Sequence, residues 1–299
     1  MSPSLVAPSP PQQRPGLLLV NPRLRDPNPD NADTFLRWTK LHARDLLNVP
    51  DSGSGHVTHG LRFCAPDSDD RYTHAEEEGT MPKYLYTFPV SDIAFLKGEA
   101  YNEVSRKLNL EKTRELESGE EAVGFPEQGR DDVMVFDIVD AKFAVYEEVE
   151  SGSLGSEESF QKLPTHLTSR GGTGPKSVLV VVHVDLPQAD TTTGVEIVPE
   201  ALRSSLLKLV KAAVPPALKP YSSLYRWSGV EAQPDHHPLI SKDGRGNWMV
   251  LLLLVDEEGK TLIREHAAML VQGWVHEERG KLGGGKIDFG VWDGEVLMG

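Results

Sequence analysis

Three side chains suited to proton transfer around an aromatic molecule recur at helical spacing in "DTFLRWTKLHARDLL", residues 33–47. At about 100° per residue, Phe35, Trp38 and His42 fall on one face of a helix, and Leu46 continues the stripe. Arg37, Lys40 and Arg44 lie off that stripe, toward solvent. An inward histidine of this kind either bonds a carbonyl in the core or, partly desolvated, lines a cavity and moves protons near neutral pH. The second role needs an apolar pocket, a further titratable group and a donor for a developing enolate or phenolate. His59 and His183 are candidates for the titratable group. Tyr84 and Tyr86 share one strand face by period two, and either can hold an oxyanion or a phenol. Arg23 and Arg25, at the end of a strand, are candidates for a substrate carboxylate.

The elements that position these groups follow from hydrophobic periodicity. "GLLLVNPRL" is a strand, "DPNPDNAD" a turn with Asn31 or Asp33 as N-cap, and the helix runs from there to Leu47. "GHVTHGLRFCAP" carries His59 on a second strand and "KYLYTFPVSD" is a third. "IAFLKGEAYNEVSRKLNL" reads as an amphipathic helix capped by Ser91 or Asp92, and "DVMVFDIVDAKFAVYEEVE" supplies a closing strand. The order β-α-β-β-α-β then recurs from "SVLVVVHVDLP" to "KIDFGVWDGEVL". Laying the halves over each other places Asn21 opposite His183 and Tyr146 near Trp292. The fold class expected is α+β, with two tandem ferredoxin-like βαββαβ units forming one barrel. Residues 1–15 form a disordered lead-in, 16–150 the first unit, 151–176 a Ser/Gly/Thr-rich linker and 177–299 the second unit.

Bulk properties narrow the function classes. A formal net charge of −14 over 299 residues argues against nucleic-acid or anionic-membrane partners. The longest apolar run, "WMVLLLLV", is too short to span a bilayer. A single cysteine, Cys64, excludes an intrachain disulfide and a multi-thiolate metal site, which fits a reducing cytoplasmic setting. His236 and His237 in "PDHHPL" are adjacent and lack a third ligand at helical spacing, so no metal site is expected. "GKLGGGK" ends a helix and lacks the Ser/Thr of a phosphate-binding loop. The acidic runs at 76–78 and 117–121 read as solvated loops.

The "TFLRWTKLHARDLL" pattern after a "GLLLVNPRL" strand resembles the EthD-like branch of the dimeric α+β barrel superfamily over about 35 residues. The resemblance implies that two ferredoxin-like sheets enclose a cavity between their faces, formed within one chain or in a homodimer. It implies a hydrophobic, aromatic or polyketide-derived substrate and no cofactor. The chemistry implied is His-assisted isomerisation or cyclisation, including a chalcone-isomerase-like ring closure, or decarboxylation. The family motif's positions fall on Phe35, Trp38, His42 and Leu46; taken with the residue candidates above, His42, His59 and Tyr86 are the expected catalytic groups, and Phe35, Trp38, Asn21, Arg23, Tyr84 and His183 the expected substrate-binding ones. A cofactor-free monooxygenase and a barrel that binds a hydrophobic molecule without converting it are the alternatives. "PEALRSSLLKLVKAAV" in the second half carries no histidine, so any site is asymmetric.

Overall fold

The computed structural model describes residues 13–51, 53, 55–75, 77, 80–124, 133–151, 159–168, 176–186, 200–213, 218–229, 247–256, 264–282 and 285–298. The lead-in before residue 13, His236 and His237, most of the 76–78 run and most of the 151–176 linker lie outside these.

The chain runs β1 (Gly16–Leu24), α1 (Pro29–Leu47), β2 (Gly60–Cys64), β3 (Tyr72–Thr73), β4 (Met81–Pro82), β5 (Tyr84–Val90), α2 (Glu99–Glu103) and β6 (Val139–Ser151). It continues as α3 (Thr165–Thr168), β7 (Lys176–Asp185), α4 (Glu200–Ala213), β8 (Lys219–Trp227), β9 (Trp248–Asp256), α5 (Arg264–Glu278) and β10 (Lys286–Met298). Eight strands close an antiparallel barrel in the order β1-β5-β2-β10-β7-β9-β8-β6, so no long edge is left unpaired. Only β3 and β4 stand apart, as a short parallel pair. The architecture is α+β around a barrel closed within one chain, and among the described residues no helix is long and apolar enough to cross a membrane.

Period-two alternation sorts every strand into an inward and an outward row. Leu17 and Leu19 of β1, Leu61 and Phe63 of β2, and Leu179 and Val181 of β7 belong to the packed barrel interior. Leu18 of β1 and Tyr84, Tyr86 and Phe88 of β5 face outward, against α1. The interior is filled with side chains, Tyr146, Tyr221, Tyr225 and Trp292 among them. Between the two sheet faces, where a cavity is expected, the described residues form a buried apolar cluster. Gly290 admits the Trp292 ring there, because a Cβ at this position would overlap it.

One end of the barrel is plugged from the segment read as linker. Phe160 is fully buried, and Gln161 Nε2 donates to the carbonyls of Gly16 (2.8 Å) and Val90 (2.7 Å). Tyr225 donates its hydroxyl to Gln161 Oε1 at 3.2 Å.

The outer faces of the two halves are covered differently. Over β7, β9 and β10, helices α4 and α5 lie side by side and fill the space with Leu202, Leu206, Leu209, Val271 and Trp274. Over β1, β5 and β6 only α1 is a full helix. The amphipathic helix expected at 93–110 breaks at Gly98 into a 3-10 turn (Ile93–Lys97) and the single turn of α2. Asp92 caps that turn, accepting from Ala94 N at 2.9 Å. The chain then continues as an irregular strap over α1. The N-cap of α1 is Asn28, whose Oδ1 accepts from Asn31 N at 2.9 Å, with Pro29 in the first turn. The expected caps, Asn31 and Asp33, are the third and fifth residues of the helix.

Candidate functional site

Where α4 and α5 fill the second half, a cavity remains in the first. It lies between α1, the outward rows of β1, β5 and β6, and the strap, and encloses about 570 Å³ of free space including its opening. That suits a compact small molecule and not a large one. Its wall is almost wholly apolar: Leu18 and Val20 from β1, Phe88 from β5, Phe143 from β6, Val135 and Phe136 from the strap.

The α1 wall is the stripe seen in the sequence. The Phe35 and Trp38 rings are nearly parallel, 6.1 Å apart and 13° from coplanar, and the His42 imidazole stacks on Trp38 at 4.5 Å and 15°. The spacings of three and four residues place successive rings one above another. Two of these rings also hold the strap. Trp38 Nε1 donates to the Lys107 carbonyl at 2.9 Å, and His42 Nδ1 lies 3.1 Å from the Ser105 carbonyl. A carbonyl can only accept, so the proton of the neutral imidazole sits on Nδ1 and Nε2 is left as an acceptor. Burial, and then the nearby Arg106 cation, push the His42 pKa down to about 3. An imidazole held this low stays neutral across the physiological range. His42 is thus an anchor for the strap and a hydrogen-bond acceptor facing the cavity.

Tyr86 shares the cavity but its hydroxyl is committed. Arg62 Nε donates to it at 3.3 Å, and it hydrogen-bonds Thr39, whose own hydroxyl donates to the Phe35 carbonyl at 2.7 Å. Burial raises its pKa to about 12. Its ring meets Phe35 edge-on at 5.7 Å. Tyr84 lies on the same outward row, under the Arg62 guanidinium (4.9 Å) and beside His74 (5.1 Å), and does not line the cavity.

His59, His183, Asn21 and Arg23 lie on the opposite side of the sheet from this cavity. His59 precedes β2 and faces the barrel interior, 2% exposed, with its ring 6.2 Å from Phe160. Its Nδ1 meets Thr58 Oγ1 at 3.0 Å, and burial lowers its pKa to about 4. His183 follows Leu179 and Val181 on the inward row of β7 and lies 6.2 Å from the Tyr146 ring. Asn21 and Arg23 share the inward row of β1 with Leu17 and Leu19. Arg23 donates to the carbonyls of Thr73 (2.9 Å) and Ala75. Arg25 pairs with Asp140 at 2.8 Å in the open. The structure thus brings together Phe35, Trp38, His42 and Tyr86, sets Tyr84 against Phe35 at 6.4 Å but outside the cavity lining, and separates Asn21, Arg23, His59 and His183 from them.

Two features of the site have no counterpart in the sequence reading. Arg106, on the strap, contributes the cavity's cationic group. Its Nη1 donates to the carbonyls of Asn102 (3.0 Å) and Val104 (2.9 Å), and its guanidinium lies 5.3 Å from the centre of the Tyr101 ring. The strap is also tied down from outside. Glu120, whose side chain is 1% exposed, bridges Arg44 (2.9 Å) and Arg114 (2.6 Å), and Arg114 reaches Asp45 at 2.6 Å. Arg114 holds the Glu120 carboxyl down at about 2. Part of the 117–121 run is thus a buried ion-pair clamp instead of a solvated loop. Among the described residues, no group of three or more His, Cys, Asp or Glu side chains is arranged to hold a metal ion.

No family model matches the chain, and no curated protein does. Solved structures that it is similar to include a mutant chlorite dismutase from Candidatus Nitrospira defluvii, at 9% identity and a TM-score of 0.43, covering 96% of this chain and 93% of that one. The enzyme from the same organism in complex with imidazole is similar at 11% identity and a TM-score of 0.40, covering 95% and 92%. A protein provisionally assigned as a chlorite dismutase is similar at 8% identity and a TM-score of 0.46, covering 95% and 96%. The structures named here are chlorite dismutases, and none of them is named as a cofactor-free isomerase, cyclase or decarboxylase; the expectation of such an enzyme is withdrawn.

Proposed function

We propose that this protein binds a small aromatic molecule in the cavity beneath α1. The observation that carries the reading is the Phe35–Trp38–His42 stack, three parallel rings facing open apolar space in place of the packed side chains that fill the equivalent region of the second half. Rings stacked in this way turn their edges to the cavity, and a flat ligand ring laid across those edges gains contact area and edge-to-face packing at little cost in side-chain ordering. The His42 Nε2 acceptor gives a hydroxyl-bearing ligand one directional contact. We read the two runs β6-β1-β5-β2 and β10-β7-β9-β8 as a tandem ferredoxin-like pair, residues 16–150 and 177–299, the first of which carries this cavity.

The test is a panel of one- and two-ring aromatic compounds screened by thermal shift and isothermal calorimetry against the intact chain and Val20→Trp. Val20 lines the cavity from β1, and an indole there occupies the space a ligand would need. Binding by the parent chain and its loss in a folded Val20→Trp variant is the expected result. Undiminished binding by that variant puts the ligand elsewhere and defeats the reading.

A further inference from the structure

The cavity has one charged lining residue, and the structure leaves that residue with work to do. Arg106 is partly buried among apolar and aromatic side chains. Its contacts are to the Asn102 and Val104 carbonyls and the Tyr101 side chain, all uncharged. Among the described residues no carboxylate pairs with it. The arginines on the far side of the strap behave differently: Arg44 meets Glu117 and Glu120, and Arg114 meets Asp45 and Glu120. A guanidinium partly withdrawn from water and left without a counter-charge is costly unless something negative joins it. Its orientation is also fixed in advance. Two backbone carbonyls hold Nη1 and the Tyr101 ring backs the plane, so little side-chain freedom remains to be lost on binding.

We infer that the cavity is built for a small aromatic monocarboxylate, with the carboxylate received by Arg106 and the ring laid along Phe35, Trp38 and His42. One cation calls for one negative charge; a dianionic phosphate would leave an uncompensated charge against the apolar wall. The neutral His42 beside Arg106 fits the same picture, because a second cation there would compete with the arginine for solvation. This inference rests on the cavity being a binding site and adds the chemical class of its ligand.

The experiment compares matched pairs on the full chain by calorimetry: phenylacetate, 3-phenylpropanoate and 1-naphthoate, each against its primary amide. The amide keeps size and shape and removes the charge. The acid is expected to bind at least tenfold more tightly than its amide, the scale of one charge-assisted hydrogen bond. In Arg106→Gln that preference should vanish while the amide binds as before, which also shows that the variant is folded and its cavity intact. Arg106→Lys should restore part of the preference. Equal affinity of acid and amide for the parent chain overturns the carboxylate assignment and leaves the cavity reading standing, as does a preference that survives Arg106→Gln. Failure of acids and amides alike defeats the cavity reading itself.

Discussion

A histidine held neutral by the fold must be visible as acid sensitivity. The ordinary imidazole pKa is 6.5, and that of His42 is lowered to about 3. Below pH 6.5 the unfolded chain takes up a proton at this position that the folded chain refuses, so stability falls as the pH falls and levels off only near the folded pKa. At pH 5 the unfolded state is favoured through His42 by about 2 kcal/mol relative to pH 8. That figure barely changes for any folded pKa below about 4, because the unfolded chain's titration dominates it. The perturbation is His42→Gln, whose amide can still donate to the Ser105 carbonyl and has no proton to gain. Urea unfolding of both proteins at several pH values between 8 and 5 gives the difference curve. The parent should lose about 2 kcal/mol more than the variant over that span. His59, also depressed, is present in both chains and cancels. Parallel stability curves would show that folded His42 protonates normally, and the account of it as a neutral strap anchor would fall.

Three further outcomes follow from the packing. Trp38→Phe keeps the ring and loses the donor to the Lys107 carbonyl; it should cost about 1–2 kcal/mol and speed amide exchange across residues 101–108, and unchanged exchange there would argue against the anchoring role. Gln161→Leu leaves the Gly16 and Val90 carbonyls unpaired at the plugged end of the barrel, a loss of about 2–3 kcal/mol by chemical denaturation, and a neutral result would mean that the plug is dispensable. Gly290→Ala sets a methyl group against the Trp292 ring and should destabilise by about 1–3 kcal/mol with a red shift or quenching change in tryptophan emission; a silent substitution would mean that the interior has room it does not show.

What the sequence made legible, and what it hid, divides along one physical line. Helical geometry alone placed Phe35, Trp38 and His42 on a common face, because a stripe at 100° per residue leaves charged residues to mark the other side. Strand geometry fixed which residues share a row but not which row faces where. In "GLLLVNPRL" both rows are apolar, Leu17 and Leu19 inside the barrel and Leu18 and Val20 against α1, since both faces of the strand are buried. Asn21, Arg23, His59 and His183 were gathered around His42 for want of that sign, and all four belong to the inward side.

The strap was hidden for the opposite reason. Residues 93–110 have helical periodicity, yet Gly98 interrupts them and tertiary anchors decide the path: the indole of Trp38, the imidazole of His42 and the Glu120 clamp, each binding a residue far away in sequence. That failure of a helix is what sets the two halves apart. A continuous second helix over β1 and β5 would pack as α4 and α5 do, and the space beneath α1 would fill with leucine and valine. The strap leaves it open and delivers Arg106 to its wall. The difference in how the two sheet faces are covered thus comes from a stretch where local helix propensity loses to three side-chain anchors. Restoring helix there, by replacing Gly98 with alanine, works against the cavity instead of for it.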